Sequence, residues 1–405
     1  MPSSHTRDAG PAGFSFTHNC ELSNRLVSVA MKELEVLDFT ERILSLLDTT
    51  RYSATYKLAT LVALIDLAAE QTAAEEPKEQ FLSGLEIGRR VLRLYWPQTA
   101  PYAPSSDALL RASDPVLTQS STHDIPSKLA QWRQKYQLSA GASIEDAAAA
   151  DPAQWDTLSK QLAATVVRMP LTRLQRFGRG SGSVEERFLF DFPWTDGVSA
   201  ATVLRDGFDD RIQFRPGVSS LLVRLAPLLR PLIQLRWAEQ VAARNTDLVD
   251  SHQLAEFLFG ASRISLDRVR GPLSESQNGK CFYCGGPLGN SPAVDHFLPW
   301  SRHPDNTLDN LVVADSRCNG SKSASLAGIE YLEIWVTRFE AESQADVMLQ
   351  EIARLTNWPR RAEGTLASAR ASYLWLPPSV RLWKSRLQLE TADISRIREL
   401  LMSKY

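Results

Sequence analysis

The stretch CFYCGGPLGNSPAVDHFLPWSRHPDNTLDNLVVADSRCNGSK, residues 281–322, decides how this chain folds and what it can do. Cys281-x-x-Cys284 followed by Gly285–Gly286 reads as a knuckle, a tight turn whose two thiolates bind one tetrahedral zinc at about 2.3 Å. Cys318 offers a third ligand. Asp315, three residues before it, is placed to be the fourth, since carboxylate oxygen binds zinc at about 2.0–2.2 Å. Asp315 is equally suited to cap the helix that begins near Cys318, and His303 in the intervening loop is another donor. Between the two half-sites lie polar residues that zinc does not explain. Ala293–Val294–Asp295–His296 ends a short apolar strand with a carboxylate beside an imidazole. Asn310 then opens a second strand, Leu311–Val312–Val313. Asn319 begins a helix, with Lys322 on its next turn.

This order of strand, loop, strand and helix resembles the HNH endonuclease family, the ββα-metal nuclease fold, over residues 276–324. The steps from His296 to Asn310, fourteen residues, and from Asn310 to Asn319, nine, follow the family pattern. One departure is Asp315-x-x-Cys318, where zinc-bearing relatives carry a second CxxC. The resemblance implies His296 as general base, suited by an imidazole pKa of about 6.5. It implies that Asp295 and Asn319 hold one Mg²⁺ or Mn²⁺ through oxygen donors, a hard-cation choice. Asn310 would orient His296 and tie the loop to the strand. Zinc on Cys281, Cys284, Asp315 and Cys318 would be structural.

Outside this window the chain is ordinary. With 45 Lys+Arg against 47 Asp+Glu in 405 residues, it cannot coat nucleic acid by bulk positive charge. Contacts must come from local patches: Lys322, Arg302 and His303 within the motif, and Arg173, Arg176 and Arg179 in a segment, 165–180, that holds no acid. A second arginine-rich segment spans 211–244. Three of the four cysteines fall inside the motif, which favours metal binding in a reducing compartment over disulfides. The first thirty residues lack the apolar core of a signal peptide, and no uncharged apolar run approaches the roughly 18–20 residues of a membrane span. A cytoplasmic location is therefore expected, with no membrane partner.

Helical spacing of apolar residues predicts a mainly α chain. Helices are expected over 32–48, 52–67, 79–95, 127–136, 151–167, 252–259, 266–277, 329–339, 345–355 and 392–402. A Pro-rich connection is expected at 97–127, a weakly specified stretch at 145–151 and a strand at 187–194. Pro227 and Pro231 should bend or split the helix at 218–244. The expected organisation is a poorly ordered segment at 1–30, a helical recognition or regulatory domain at 31–262, the nuclease module at 263–330, and C-terminal helices at 331–405 packing on the rest.

The favoured reading is a metal-dependent endonuclease that nicks or cuts DNA. A large helical part joined to a nearly neutral HNH module resembles prokaryotic anti-phage and restriction nucleases, among them the nicking component of Zorya-type defence. DNA and other components of a defence system would then be the partners. The alternatives are a non-catalytic zinc-knuckle adaptor that binds nucleic acid and a nuclease directed at RNA.

Overall fold

The structure is a computed structural model, and it describes residues 35–48, 55–71, 81–102, 115–119, 125–178, 183–246, 251–260, 265–290, 292–377 and 379–402. The expected poorly ordered segment at 1–30, Arg179 and the residues just after it lie outside them. The chain divides into two units, Met1–Asp48 and Thr49–Tyr405. The first contributes one described helix, α1 at 35–48, carrying an i,i+4 pair between Asp38 and Arg42.

The second unit is mainly helical. It opens with α2 (Tyr56–Gln71), β1 (Phe81–Ser83) and α3 (Gly84–Tyr95). The helix expected from residue 79 thus starts at 84, because Ser83 leaves the helix and its hydroxyl accepts from the Glu86 N–H as an N-cap. A turn of 3₁₀ helix and α4 (Ile125–Lys135) follow, then α5 (Ile144–Ala150) and α6 (Pro152–Arg168). The stretch at 145–151 is helical as far as Ala150: Ser143 and Asp146 form a reciprocal capping box. Asp151 then caps α6, with Pro152 at its first position. α3 lies directly on α6 at Gly88, where a Cβ would stand 2.6 Å from the Ala163 Cα.

The stretch expected as one strand at 187–194 is mostly loop. Short strands β2 (Arg176–Phe177) and β3 (Val184–Glu185) pair with each other. Beyond β4 (Phe190–Asp191) and the single turn α7 (Ala200–Val203), β5 (Arg211–Phe214) sits between β1 and β4 in an antiparallel sheet. α8 (Val218–Ala242) then runs unbroken through Pro227 and Pro231. Each proline forfeits one backbone hydrogen bond, but α8 packs along α2 and buries Leu222, Leu229, Ile233 and Trp237, which holds the helix together. By length and composition alone α8 could cross a membrane, yet it buries Arg230 against Asp66 of α2.

α9 (Ser251–Phe259) and α10 (Asp267–Ser276) lead into the motif. There β6 (Ala293–His296) pairs antiparallel with β7 (Leu311–Ala314), and α11 (Ser316–Lys322) follows. The C-terminal part comprises α12 (Ile329–Val336), α13 (Gln344–Thr356), α14 (Ala362–Tyr373), the hairpin β8 (Arg381–Ser385)–β9 (Gln388–Thr391), and α15 (Ile394–Met402). It shares one core with the motif: Tyr283, Phe297 and Cys318 pack with Trp335, Tyr373 and Trp383. Phe297 and Trp335 stack with ring centroids 4.4 Å apart.

Candidate active site and metal knuckle

The knuckle is built by its own backbone. The Gly285 N–H donates to the Cys281 carbonyl at 3.0 Å and the Cys281 N–H to the Gly286 carbonyl at 2.8 Å, with Gly285 at φ +66°, a conformation that suits glycine. The Phe282 N–H donates to the Val313 carbonyl at 3.0 Å, seating the turn on β7. The side chain of Gln277 exchanges both amide hydrogen bonds with Val313.

This geometry brings the Sγ atoms of Cys281, Cys284 and Cys318 within 4.8 Å of one another. Thiolates on one tetrahedral ion at 2.3 Å stand about 3.8 Å apart, so the three sulfurs fit zinc. The Gly286 N–H lowers the pKa of Cys284, while burial and the two neighbouring cysteines push Cys318 up to about 12. A divalent cation would relieve that crowding of like charge. Asp315 is outside this cysteine group; its Oδ1 accepts from the Arg317 N–H at 2.9 Å and caps α11. His303 is outside it as well. It is 7% exposed and bonded to Asp305 at 3.2 Å, so it is neither a free loop residue nor a cysteine-site ligand.

β6 presents Asp295 and His296 at its end, both 8% exposed. Tyr283 donates its hydroxyl to Asp295 Oδ2 at 2.5 Å, and Lys322 Nζ approaches the same oxygen to 3.0 Å. Burial and the adjacent Asp295 raise the Tyr283 pKa far above its usual value, which keeps it a donor. Lys322 also donates to the His296 carbonyl at 2.9 Å and is 0% exposed. The expectation that Lys322 touches phosphate is therefore corrected: a fully enclosed ammonium cannot reach a bound nucleic acid. It serves as an internal cation because α11 turns its buried face toward β6. Asn319, one turn earlier on that face, is half-buried. Both contacts to Asp295 fall on Oδ2, and Oδ1 takes no hydrogen bond among the described residues.

His296 has a partner that the sequence did not disclose. Its Nε2 lies 2.7 Å from Asn306 Oδ1. An amide oxygen only accepts, so Nε2 carries the proton and Nδ1 the lone pair. Burial lowers the His296 pKa, with Lys322 adding to the effect and the Asn306 bond opposing it. The imidazole is thus neutral at pH 7. Of the two roles expected of Asn310, orienting His296 and tying the loop to the strand, its side-chain hydrogen bonds serve the second. Its Oδ1 accepts from the Leu298 N–H at 2.8 Å and its amide donates to the Leu298 and Asp305 carbonyls. Asn306 stands in an ordinary loop run, HPDNT, with no spacing rule to mark it.

The loop after β6 is bound to the helices. Trp300 packs on His296 with centroids 5.1 Å apart and donates Nε1–H to the Phe259 carbonyl at 2.7 Å. Burial opposes ionisation of Asp305, but His303, Arg361 and Thr307 together hold its carboxyl well below the usual range.

The arginines expected as a nucleic-acid stripe are not free. Arg176 pairs with Asp196 at 3.1 Å and faces Glu185 at 3.7 Å, and Arg173 lies 3.6 Å from Asp196. The acids come from segments distant in sequence. Arg302 is half-buried, its pKa lowered by burial.

Residues 281–327 match the family model for HNH endonucleases, and this module defines the class of the protein: a helical chain bearing an HNH endonuclease domain. Residues 37–258, more than half of the chain, match a domain of unknown function, DUF8808, and the chain belongs to that family. No curated protein and no solved structure matches it.

Proposed function

We propose that the chain is a metal-dependent HNH endonuclease that hydrolyses DNA phosphodiester bonds, acting in prokaryotic anti-phage defence or restriction. The observation that carries the chemistry is a buried, neutral His296 whose Nε2–H is committed to Asn306. Nδ1 is then the basic nitrogen and takes the proton from the attacking water. As the ring becomes imidazolium, the Asn306 oxygen stabilises its charge. Asn310 holds the loop that carries Asn306, so the base is aimed before substrate arrives.

Asp295 Oδ1 and Asn319 would hold Mg²⁺ or Mn²⁺, which supplies positive charge on the scissile phosphate and on the departing 3′ oxygen. Cys281, Cys284 and Cys318 would hold a structural zinc that keeps the knuckle seated on β7. A single centre of this kind cuts one strand, so a monomer nicks. The defence setting rests on architecture, a large helical part fused to an HNH module.

Supercoiled plasmid, linear duplex and single-stranded RNA, each offered with Mg²⁺ and then Mn²⁺, test the substrate class. Relaxed plasmid with intact RNA is the expected result. RNA degraded in preference to DNA would replace the DNA reading. The engagement of Asp295 by Tyr283 and Lys322 favours one competing reading, a zinc-knuckle adaptor without catalysis. That reading requires that Asp295→Ala and His296→Ala variants keep full function.

A further inference from the structure

Where α8, α14 and the β6–β7 loop meet lies a cavity of about 230 Å³, open to solvent on one side. Among the described residues, Arg224 and Arg230 of α8 and Arg302 of the loop line it, against one acid, Asp66. Arg230 is 3% exposed. Its Nη2 pairs with Asp66, while its Nε and Nη1 are buried with no hydrogen-bond partner among the described residues. Asp66 is itself shared, standing 3.7 Å from Arg90 Nη1. Arg302 has no ion pair among those of the described residues, and burial disfavours its charge.

Three guanidiniums facing a single shared carboxylate leave the cavity positive, and a buried guanidinium with unused N–H groups is costly unless an acceptor meets it. The planar fork of arginine matches phosphate oxygens in pairs, which a carboxylate already engaged elsewhere cannot replace. Ser372 of α14 and Trp375 complete the wall, a hydroxyl and an aromatic ring, with Trp375 46% exposed. The volume exceeds the ~30 Å³ of a water many times over and lies below the ~300–1,000 Å³ typical of drug-sized ligands.

We infer that this cavity is a binding site for a small phosphate-bearing ligand, held by Arg224, Arg230 and Arg302. It is separate from the carboxylate, imidazole and amide of the nuclease motif. Arg302 and His303 in its wall belong to the loop that also carries Trp300 onto His296. An occupant therefore touches the segment that packs on the candidate base.

Calorimetric titration of the full chain with pyrophosphate and with AMP, at fixed salt and without divalent metal, tests the inference independently of any cleavage. Wild type is expected to bind with a one-to-one stoichiometry. Arg302→Gln and Arg224→Gln should each weaken binding by about tenfold or more, the loss of one charge-assisted contact. Arg224 is exposed, so its variant keeps the fold, and an unchanged melting temperature verifies this. No binding by wild type, or equal binding by both folded variants, would overturn the site. A short duplex that displaces pyrophosphate as well as AMP does would overturn the small-ligand assignment.

Discussion

Lys322 places its ammonium 3.0 Å from Asp295 Oδ2 with no exposure to solvent, so the acid of the DH pair already faces a cation supplied by the chain itself. Removing one partner of a buried pair leaves an uncompensated charge, typically at a cost of about 3–5 kcal/mol. Lys322→Met should therefore lower the melting temperature in chelator. Mn²⁺ should restore more stability to this variant than to wild type, because the ion then balances Asp295 alone. Thermal unfolding with and without Mn²⁺ checks both parts; equal shifts in the two proteins would detach Asp295 from metal binding.

The His296 pKa lies below its ordinary 6.5 because the ring is buried. Cleavage should be level at neutral pH and fall along an acid limb whose midpoint is below 6.5. Asn306 raises this pKa, so Asn306→Ala should move the limb to lower pH and reduce the plateau about 10²-fold or more, within the span of general-base effects. The same shift acts on stability. The unfolded chain binds the proton more readily, so the contribution is complete above about pH 6.5 and is lost as pH falls through the folded pKa. A limb above 6.5 in the rate profile would remove His296 as the titrating base.

Little of the His296 environment could be read from residue order. The spacing of Asp295, His296, Asn310 and Asn319 marked the ββα element, because strand, strand and helix must meet there. Lys322, one turn after Asn319, points to phosphate by its position beside the motif, and only the packing of α11 on β6 encloses it. Arg173 and Arg176 look unopposed in sequence since Glu185 arrives from β3 and Asp196 from the turn after β4. α14 went unseen because its buried face is built from Ala367, Ser368, Ala369 and Ala371, which carry almost no hydropathy contrast. The prolines of α8 pointed to a break that burial against α2 overrides.

The knuckle should carry one zinc per chain. Cys284 is the exposed member of the set, so Cys284→Ser changes little packing while removing a thiolate. Metal analysis of the purified variant should show zinc largely lost, with a lowered melting temperature, since zinc binding energy is folding energy. Zinc retained at full stoichiometry would show that other donors hold it.

Helical packing gives an independent check. At Gly88 any side chain would meet the Ala163 backbone at 2.6–2.8 Å. Gly88→Ala should destabilise the protein by about 1–3 kcal/mol, the usual cost of overpacking, in spite of the helix propensity it gains. Denaturant unfolding measures it; a stabilised variant would mean that α3 and α6 do not approach as described.

The most direct test of the nuclease reading compares wild type with His296→Ala on supercoiled plasmid in Mg²⁺ or Mn²⁺, with zinc content measured on both. Wild type should relax the plasmid, and the variant should lose cleavage by three orders of magnitude or more, about 10³-fold being within reach of removing a general base, while its zinc is unchanged. Equal cutting by the two proteins, with zinc equal in both, would contradict the role given to His296 and with it the proposed chemistry.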